Sequence, residues 1–436
     1  MFSLFFFIIV LAGLIILPYS VRFGVTLWGS IFQIYTLSVF GFYPSLALLG
    51  NASLAPTLIS FRRSFLQPPI LFLLGLFAIQ IISLTWSPDR HFGFTTILYE
   101  IPFIIMYLVA FHLAQHHLQQ LLNYIKIYAV LSLIPLMFII VFAIKPSINL
   151  LYVKSVLAHY FNHPHAVQWY LQGYPEAVWQ GKPRGIIFDP NAAGGYLGIC
   201  ALVFFGVGIY CRSTWLKCIA VLHWVGIFFT SVVAAMCLAI ISPILITFVY
   251  FYAENKPIDG RSFRSISFYV ITLLILIMQT ILALYPEIMF SLVPKLLSRP
   301  KLWLYAFEAL PNHLSTGLGF GGLEQVYAYL NPEAPDKPMY RPHNTLIAIL
   351  AQSGIFAASL ALAFIVSVFY SCRRAYVTAS DTVHKLFVLF TSSAILWMFV
   401  HAMGENWGIV SEIHMQPIVA TVYGLMMGLY CRATQS

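Results

Sequence analysis

The segment from Gly317 to Gly354, GLGFGGLEQVYAYLNPEAPDKPMYRPHNTLIAILAQSG, holds the side chains best suited to chemistry at a membrane surface. It is dense in Gly, Pro, Tyr and charge, and it runs through Arg341-Pro342-His343-Asn344 into an apolar stretch. An imidazole titrates nearer neutrality than other side chains, so a residue such as His343 can take a proton from an attacking hydroxyl. A histidine at a helix mouth also serves as a cap or a hydrogen-bond bridge. Asn344 could orient a sugar hydroxyl or cap the helix that follows, and Asn191, behind Pro190, carries the same two readings. Arg184 in RGIIFDPN, Arg299 ahead of Trp303, and Arg341 beside His343 supply planar guanidinium forks, which grip phosphate bidentately and stay charged. Together they read as a diphosphate clamp; singly, each reads as an arginine snorkelling to lipid headgroups.

Gly317, Gly319, Gly321 and Gly322 permit close backbone approach, and Gly319 is a candidate substrate contact. They are not a nucleotide loop, because no strand precedes them and no Lys-Ser or Lys-Thr pair follows. Glu100 and Glu405 are carboxylates at membrane depth, where ionisable groups are costly; Glu405 is a candidate substrate contact, and both could instead face water. His159, His163 and His165 are loosely spaced among prolines and read as surface or glycan-contact residues rather than metal ligands. No Asp-x-Asp pair lies in the segments assigned to the outer face, and the six cysteines lack metal-ligand spacing. The expectation is chemistry without a metal and without a cofactor.

These residues must be held by a membrane bundle. The chain is 60% hydrophobic and only 8% charged, whereas charged residues make up about a quarter of a soluble domain. At ~20 apolar residues per crossing, the sequence predicts an all-α polytopic membrane protein of about twelve transmembrane helices in a single membrane domain, residues 1–436. Candidate spans begin near Ser3, Val25, Pro68, Thr96, Leu121, Ala192, Lys217, Val232, Ser267, Thr345, Lys385 and Ile413. The run from Lys217 to Tyr252 needs a turn near Thr230-Ser231; without it the later topology inverts. The first twenty residues lack a basic n-region and a cleavage site, so they read as a retained span with the N-terminus inside.

Alternating the loops from there puts eleven Lys and Arg residues on the cytoplasmic side against Arg22 and Arg90 in short outer loops. That asymmetry obeys the positive-inside rule and accounts for the net charge of +9 without nucleic acid. Both termini are then cytoplasmic. Two long loops, 145–190 and 286–343, fall outside and are rich in aromatics such as Trp169, Trp179 and Tyr327, which predicts short helices capping a cavity.

The combination of Arg299 with Trp303, GLGFGG, and His343-Asn344 leading into TLIAILAQSGIFA resembles the signature of the O-antigen ligase and polymerase superfamily of bacterial membrane glycan transferases. SLTWSPD at Ser83 to Asp89 and RGIIFDPNAAGGYL at Arg184 to Leu197 are similar to it as well. The resemblance covers most of Ser83 to Gly354. It implies a GT-C-like, metal-independent, inverting glycosyltransferase of the bacterial inner membrane, facing the periplasm. Its donor would be an undecaprenyl-diphosphate-linked glycan among the membrane lipids, and its acceptor lipid A core in lipopolysaccharide biosynthesis or a second lipid-linked glycan. Arg299 and His343 match the family's functional Arg and His, which assigns them the catalytic roles, with Arg184 and Arg341 binding the diphosphate.

The chain departs from the family at Thr230-Ser231-Val232-Val233, where members usually carry Ser-Arg. Arg184 followed by ten residues and Gly195 resembles the polymerase branch, while the Gly-rich turn paired with His-Asn leans to the ligase. A lipid-glycan transporter is a third reading; it calls for charges at the midplane and paired broken helices, and no such internal repeat is visible.

Overall fold

The computed structural model describes residues 66–156, 158, 183, 185, 189–253, 303, 306–307, 310, 312–322, 342–404, 409–410 and 415–433. The spans expected near Ser3, Val25 and Ser267, and most of the two long loops, lie outside the described residues. Among those described there is no strand, and five helical segments are long and apolar enough to cross a membrane.

The helices in chain order are α1 (Pro68–Ser83), α2 (Arg90–His116), α3 (Leu118–Leu131), α4 (Leu133–Ile144), α5 (Pro146–Val153), α6 (Pro190–Tyr210), α7 (Thr214–Phe229), α8 (Val233–Ala253), α9 (Thr345–Thr378), α10 (Thr382–Ala402) and α11 (Gln416–Ala433). Local chemistry sets most of their starts. The Pro68-Pro69 pair opens α1, where the missing N–H groups cost nothing. Asp89 accepts from the Phe92 amide at 2.9 Å and begins α2 at Arg90, ahead of the apolar run from Thr96. Asp189 accepts from the Asn191 amide at 2.9 Å with Pro190 in the first turn of α6. Asp381 caps α10 through the His384 amide at 2.9 Å.

The turn expected near Thr230-Ser231 separates α7 from α8. Thr230 closes α7, its hydroxyl donating to the Ile227 carbonyl at 2.7 Å, and Ser231 adopts a left-handed φ of 53°.

α6 is the hub. In its most apolar window 89% of residues are buried, against 22% for the segment Val233–Phe251 in α8. Its glycines admit neighbours on two sides: a side chain at Gly198 would occupy the space of the Trp397 indole on α10, and one at Gly194 would meet Ala235 and the Thr230–Val232 turn. Gly198 faces Trp397 while Gly206 faces Phe390, so α6 and α10 run antiparallel. The starts of α6 and α9 and the finish of α10 therefore share one end of the bundle.

A second seam joins α2 to α11, which run parallel. Gly424 and Gly428, one turn apart, face the backbone of Tyr107, Phe111 and Gln115 and the methyl groups of Ala110 and Ala114, so only small side chains lie between the helices. Close approach through small residues is how helices associate in lipid, where water exclusion gives no drive. Phe103, Tyr423, Phe364 and Phe399 fill the layer where α2, α11, α9 and α10 meet, with ring centroids 5.6–6.3 Å apart.

Among the described residues many large apolar side chains are exposed. Leu362, Val366 and Tyr370 on α9, and Met137 and Val141 on α4, form exposed ridges four residues apart. Such ridges on helices of this length suit contact with acyl chains.

Candidate functional site

At the shared end of the bundle, α9 is broken. Gly354 adopts φ 81°, ψ −179°, splitting the helix into a first part, residues 345–353, and a longer second part. A break strands carbonyls before it and amides after it, and buried backbone groups must find partners. The Gly-rich turn supplies them. Leu318 N donates to Ala351 O and Gly319 N to Gln352 O, each at 2.9 Å, while Ile355 N donates to Leu314 O at 2.9 Å.

The same turn reaches the opposite way, into the SLTWSPD link between α1 and α2. Phe320 N donates to the Ser83 hydroxyl at 3.1 Å, across 237 residues of chain. Gly319, at φ 97°, lies against the backbone of Ser87, and Gly321, at φ 86°, against Gly93 and the Asp89 carbonyl. Glycine is required at both positions: the dihedral is left-handed and the neighbours are backbone atoms, which cannot move aside. Gly319 thus has a bracing role, with its amide already engaged by Gln352.

His343 sits at the mouth of α9, half-buried, with its Nδ1 buried. Its φ is +47°. A non-glycine residue held there costs on the order of 1–3 kcal/mol and persists only where its surroundings determine it. Determinants lie on both sides. Before it, the Trp303 indole N–H donates to the Pro342 carbonyl at 2.6 Å. After it, Asn344 Oδ1 accepts from Leu346 N and Ile347 N, both at 3.1 Å. Asn344 Nδ2 donates to the Met403 carbonyl at 3.4 Å and the Thr345 hydroxyl to the Ala402 carbonyl at 3.0 Å, which docks the start of α9 on the finish of α10. Three residues after the helical Trp303, Ala306 is fully buried with Ala351 of α9 against Leu318 and Ile347.

Of the candidates named from sequence, His343, Asn344, Gly319 and Asn191 therefore lie at one end of the bundle. Asn344 takes the helix-capping role of its two readings, since its carbonyl oxygen is committed to the first turn of α9. At α6 the side chain that caps is that of Asp189 rather than Asn191. Arg184, Arg299, Arg341 and Glu405 lie outside the described residues. Among the described residues no three His, Cys, Asp or Glu side chains are grouped to hold a metal ion.

Glu100 is buried, 7% exposed, and its Oε2 has no hydrogen-bond partner among the described residues. It lies seven residues from Gly93 and seven from Tyr107, and two helical turns return to the same face. Its Cα–Cβ direction is thus shared with the contact on the Gly-rich turn above and the α11 seam below.

Three contributors escape sequence reasoning: the hydroxyls of Ser83 and Thr345, and the indole N–H of Trp303. Each bonds to backbone distant in the chain, and no spacing rule encodes such a pairing. No protein-family model matches the chain, and no curated protein is found to be similar to it.

Proposed function

We propose that this chain is a membrane glycosyltransferase that moves a glycan from a polyprenyl diphosphate carrier to a sugar hydroxyl, without a metal ion and with inversion at the anomeric carbon. The observation that carries the reading is the mutual bracing of stretches that resemble the glycan-transferase signature. Ser83–Asp89, the Gly-rich turn and the His343–Gly354 segment are separate in sequence and interlock at the Gly354 break in α9.

In this reading the bundle belongs to about twelve spans in a bacterial inner membrane, with both termini cytoplasmic and the mouth of α9 facing the periplasm. Arg184, Arg299 and Arg341, from the two long outer segments, are assigned to the diphosphate. His343 accepts the proton of the acceptor hydroxyl as its oxygen bonds to the anomeric carbon. The bond from that carbon to the diphosphate breaks, and the electron pair leaves with the phosphate oxygen. Arg299, with Arg184 and Arg341, offsets the charge that develops there. Diphosphate is a good leaving group, so positioning and charge stabilisation supply most of the acceleration. Loss of the Arg299 guanidinium removes roughly 2–4 kcal/mol of that stabilisation.

The acceptor that best fits the Gly-rich turn paired with His-Asn is lipid A core, which makes the reaction that of an O-antigen ligase. The spacing from Arg184 to Gly195 favours a second reading, a polymerase that adds to another lipid-linked repeat.

The test is the envelope-glycan gel profile of a host lacking the gene, complemented with wild type, His343→Ala or Arg299→Ala. Polymer missing from lipid A core, with long chains held on the lipid carrier, is the expected result for both variants. A single repeat still joined to core makes the protein a polymerase. An unchanged ladder overturns the proposal.

A further inference from the structure

We infer that Trp303 is a positioning residue for His343, holding the imidazole in place through the peptide that joins Pro342 to His343; this rests on the catalytic role proposed for His343. Three observations carry it. His343 has a left-handed φ of 47° although it is not a glycine. The Trp303 indole donates a 2.6 Å hydrogen bond to the Pro342 carbonyl, from 39 residues upstream. The residues that follow His343 are independently fixed by the Asn344 cap and the Thr345 contact with Ala402.

The geometry makes the indole decisive. The Pro342 oxygen belongs to the planar peptide that ends at the His343 nitrogen, so holding that oxygen holds the plane from which φ of His343 is measured. The far side of that rotation is fixed by the start of α9. With both sides set, the direction of the His343 Cα–Cβ bond is set, and the imidazole is confined to the few rotamers that bond allows. Releasing the indole bond lets φ return to the right-handed or extended region, a rotation of about 110° or more. The peptide plane and the side chain can then no longer keep their present relation.

Trp303 is helical, and three residues further on Ala306 is buried against Ala351 of α9. A single hydrogen bond couples Trp303 to the mouth of α9. The bond is specific to indole: phenylalanine keeps most of the ring's packing and loses only the N–H donor.

The inference separates from a packing role by three measurements on purified full-length protein in detergent. In the transfer reaction, Trp303→Phe is expected to lower kcat about tenfold with KM within twofold. It should add no further loss in a His343→Ala background, because residues that act through one another are not additive. Independently of activity, labelling by diethylpyrocarbonate, followed by mass spectrometry, should change at least threefold in rate at His343 in Trp303→Phe and stay constant at the distant, exposed His384. An unchanged labelling rate at His343, or equal losses in the wild-type and His343→Ala backgrounds, overturns the positioning role. A changed labelling rate in a protein whose wild type transfers no glycan retains the positioning and overturns the proposed function instead. Thermal midpoints of wild type and Trp303→Phe should agree within a few degrees; a collapse of Trp303→Phe on heating assigns the bond to folding and also overturns the inference.

Discussion

The mouth of α9 and the seam between α2 and α11 are both built on glycine, yet they hold together by different physics. At the seam each helix keeps its own backbone hydrogen bonds, and Gly424 and Gly428 only remove bulk so that two regular cylinders approach. At the mouth the helix is interrupted, and backbone groups of α9 are completed by backbone groups of the 314–319 segment. The first arrangement is governed by shape and the second by direction. A sliding contact between helices tolerates small displacements, whereas a set of crossed backbone bonds fixes the position of the residue beside it.

The contrast can be broken by mutation. Gly319→Val should have the largest effect: it places a β-branched side chain at φ 97° against the Ser87 backbone and breaks the link between the two halves of the mouth. A loss of about 3 kcal/mol or more is expected, read as a collapse of monodisperse protein on size exclusion. Gly424→Leu tests the seam. The ideal β-carbon would lie 2.6 Å from the Ala110 β-carbon, so α2 and α11 must part, at a cost of about 1–3 kcal/mol in thermal stability. Ala110→Gly removes only one of the three contacts, since Tyr107 O and Phe111 N also lie within 2.7 Å, so it should recover a small part of that loss, while no neighbouring truncation should rescue Gly319→Val.

A smaller change sharpens the role of the mouth. Asn344→Ala should cost about 1 kcal/mol by exposing the amides of Leu346 and Ile347, and Asn344→Asp should recover only part of it, since a carboxylate oxygen can cap but cannot donate to the Met403 carbonyl. Equal stability of Asn344→Ala and wild type would remove the cap from the account.

The smallest effect concerns the opposite end of the bundle, at Asp381. The His384 amide, and then the His384 ring at 2.7 Å, hold its carboxyl below the ordinary carboxylate range. A carboxylate whose folded value is depressed contributes stability above its unfolded value and loses it as pH falls through the folded one. Thermal midpoints of wild type and Asp381→Asn should thus differ slightly at neutral pH and converge below about pH 4. A gap that persists at lower pH would assign the difference to packing rather than charge.

Sequence signals that act over a few residues were legible wherever the physics is local. Pro68, Thr345 and the pair Thr230-Ser231 mark structural boundaries that the backbone obeys, because proline and short polar side chains act on the peptide groups next to them. Long apolar runs mark membrane helices, because a bilayer demands a minimum length of apolar surface. The start of α2 is displaced from Thr96 to Arg90 because the Asp89 carboxylate caps the helix six residues earlier than hydropathy rises.

What the amino-acid sequence determined by itself is therefore an all-helical membrane chain, its turns, and the stretch in which chemistry was to be sought. Only the tertiary structure decided that the apolar run after His343 breaks at Gly354, that the glycines upstream fill that break, that Ser83 anchors the Gly-rich turn, and that Trp303 holds the Pro342 carbonyl. Bonds between groups 39 and 237 residues apart depend on how helices pack, and no local pattern of residues encodes that distance.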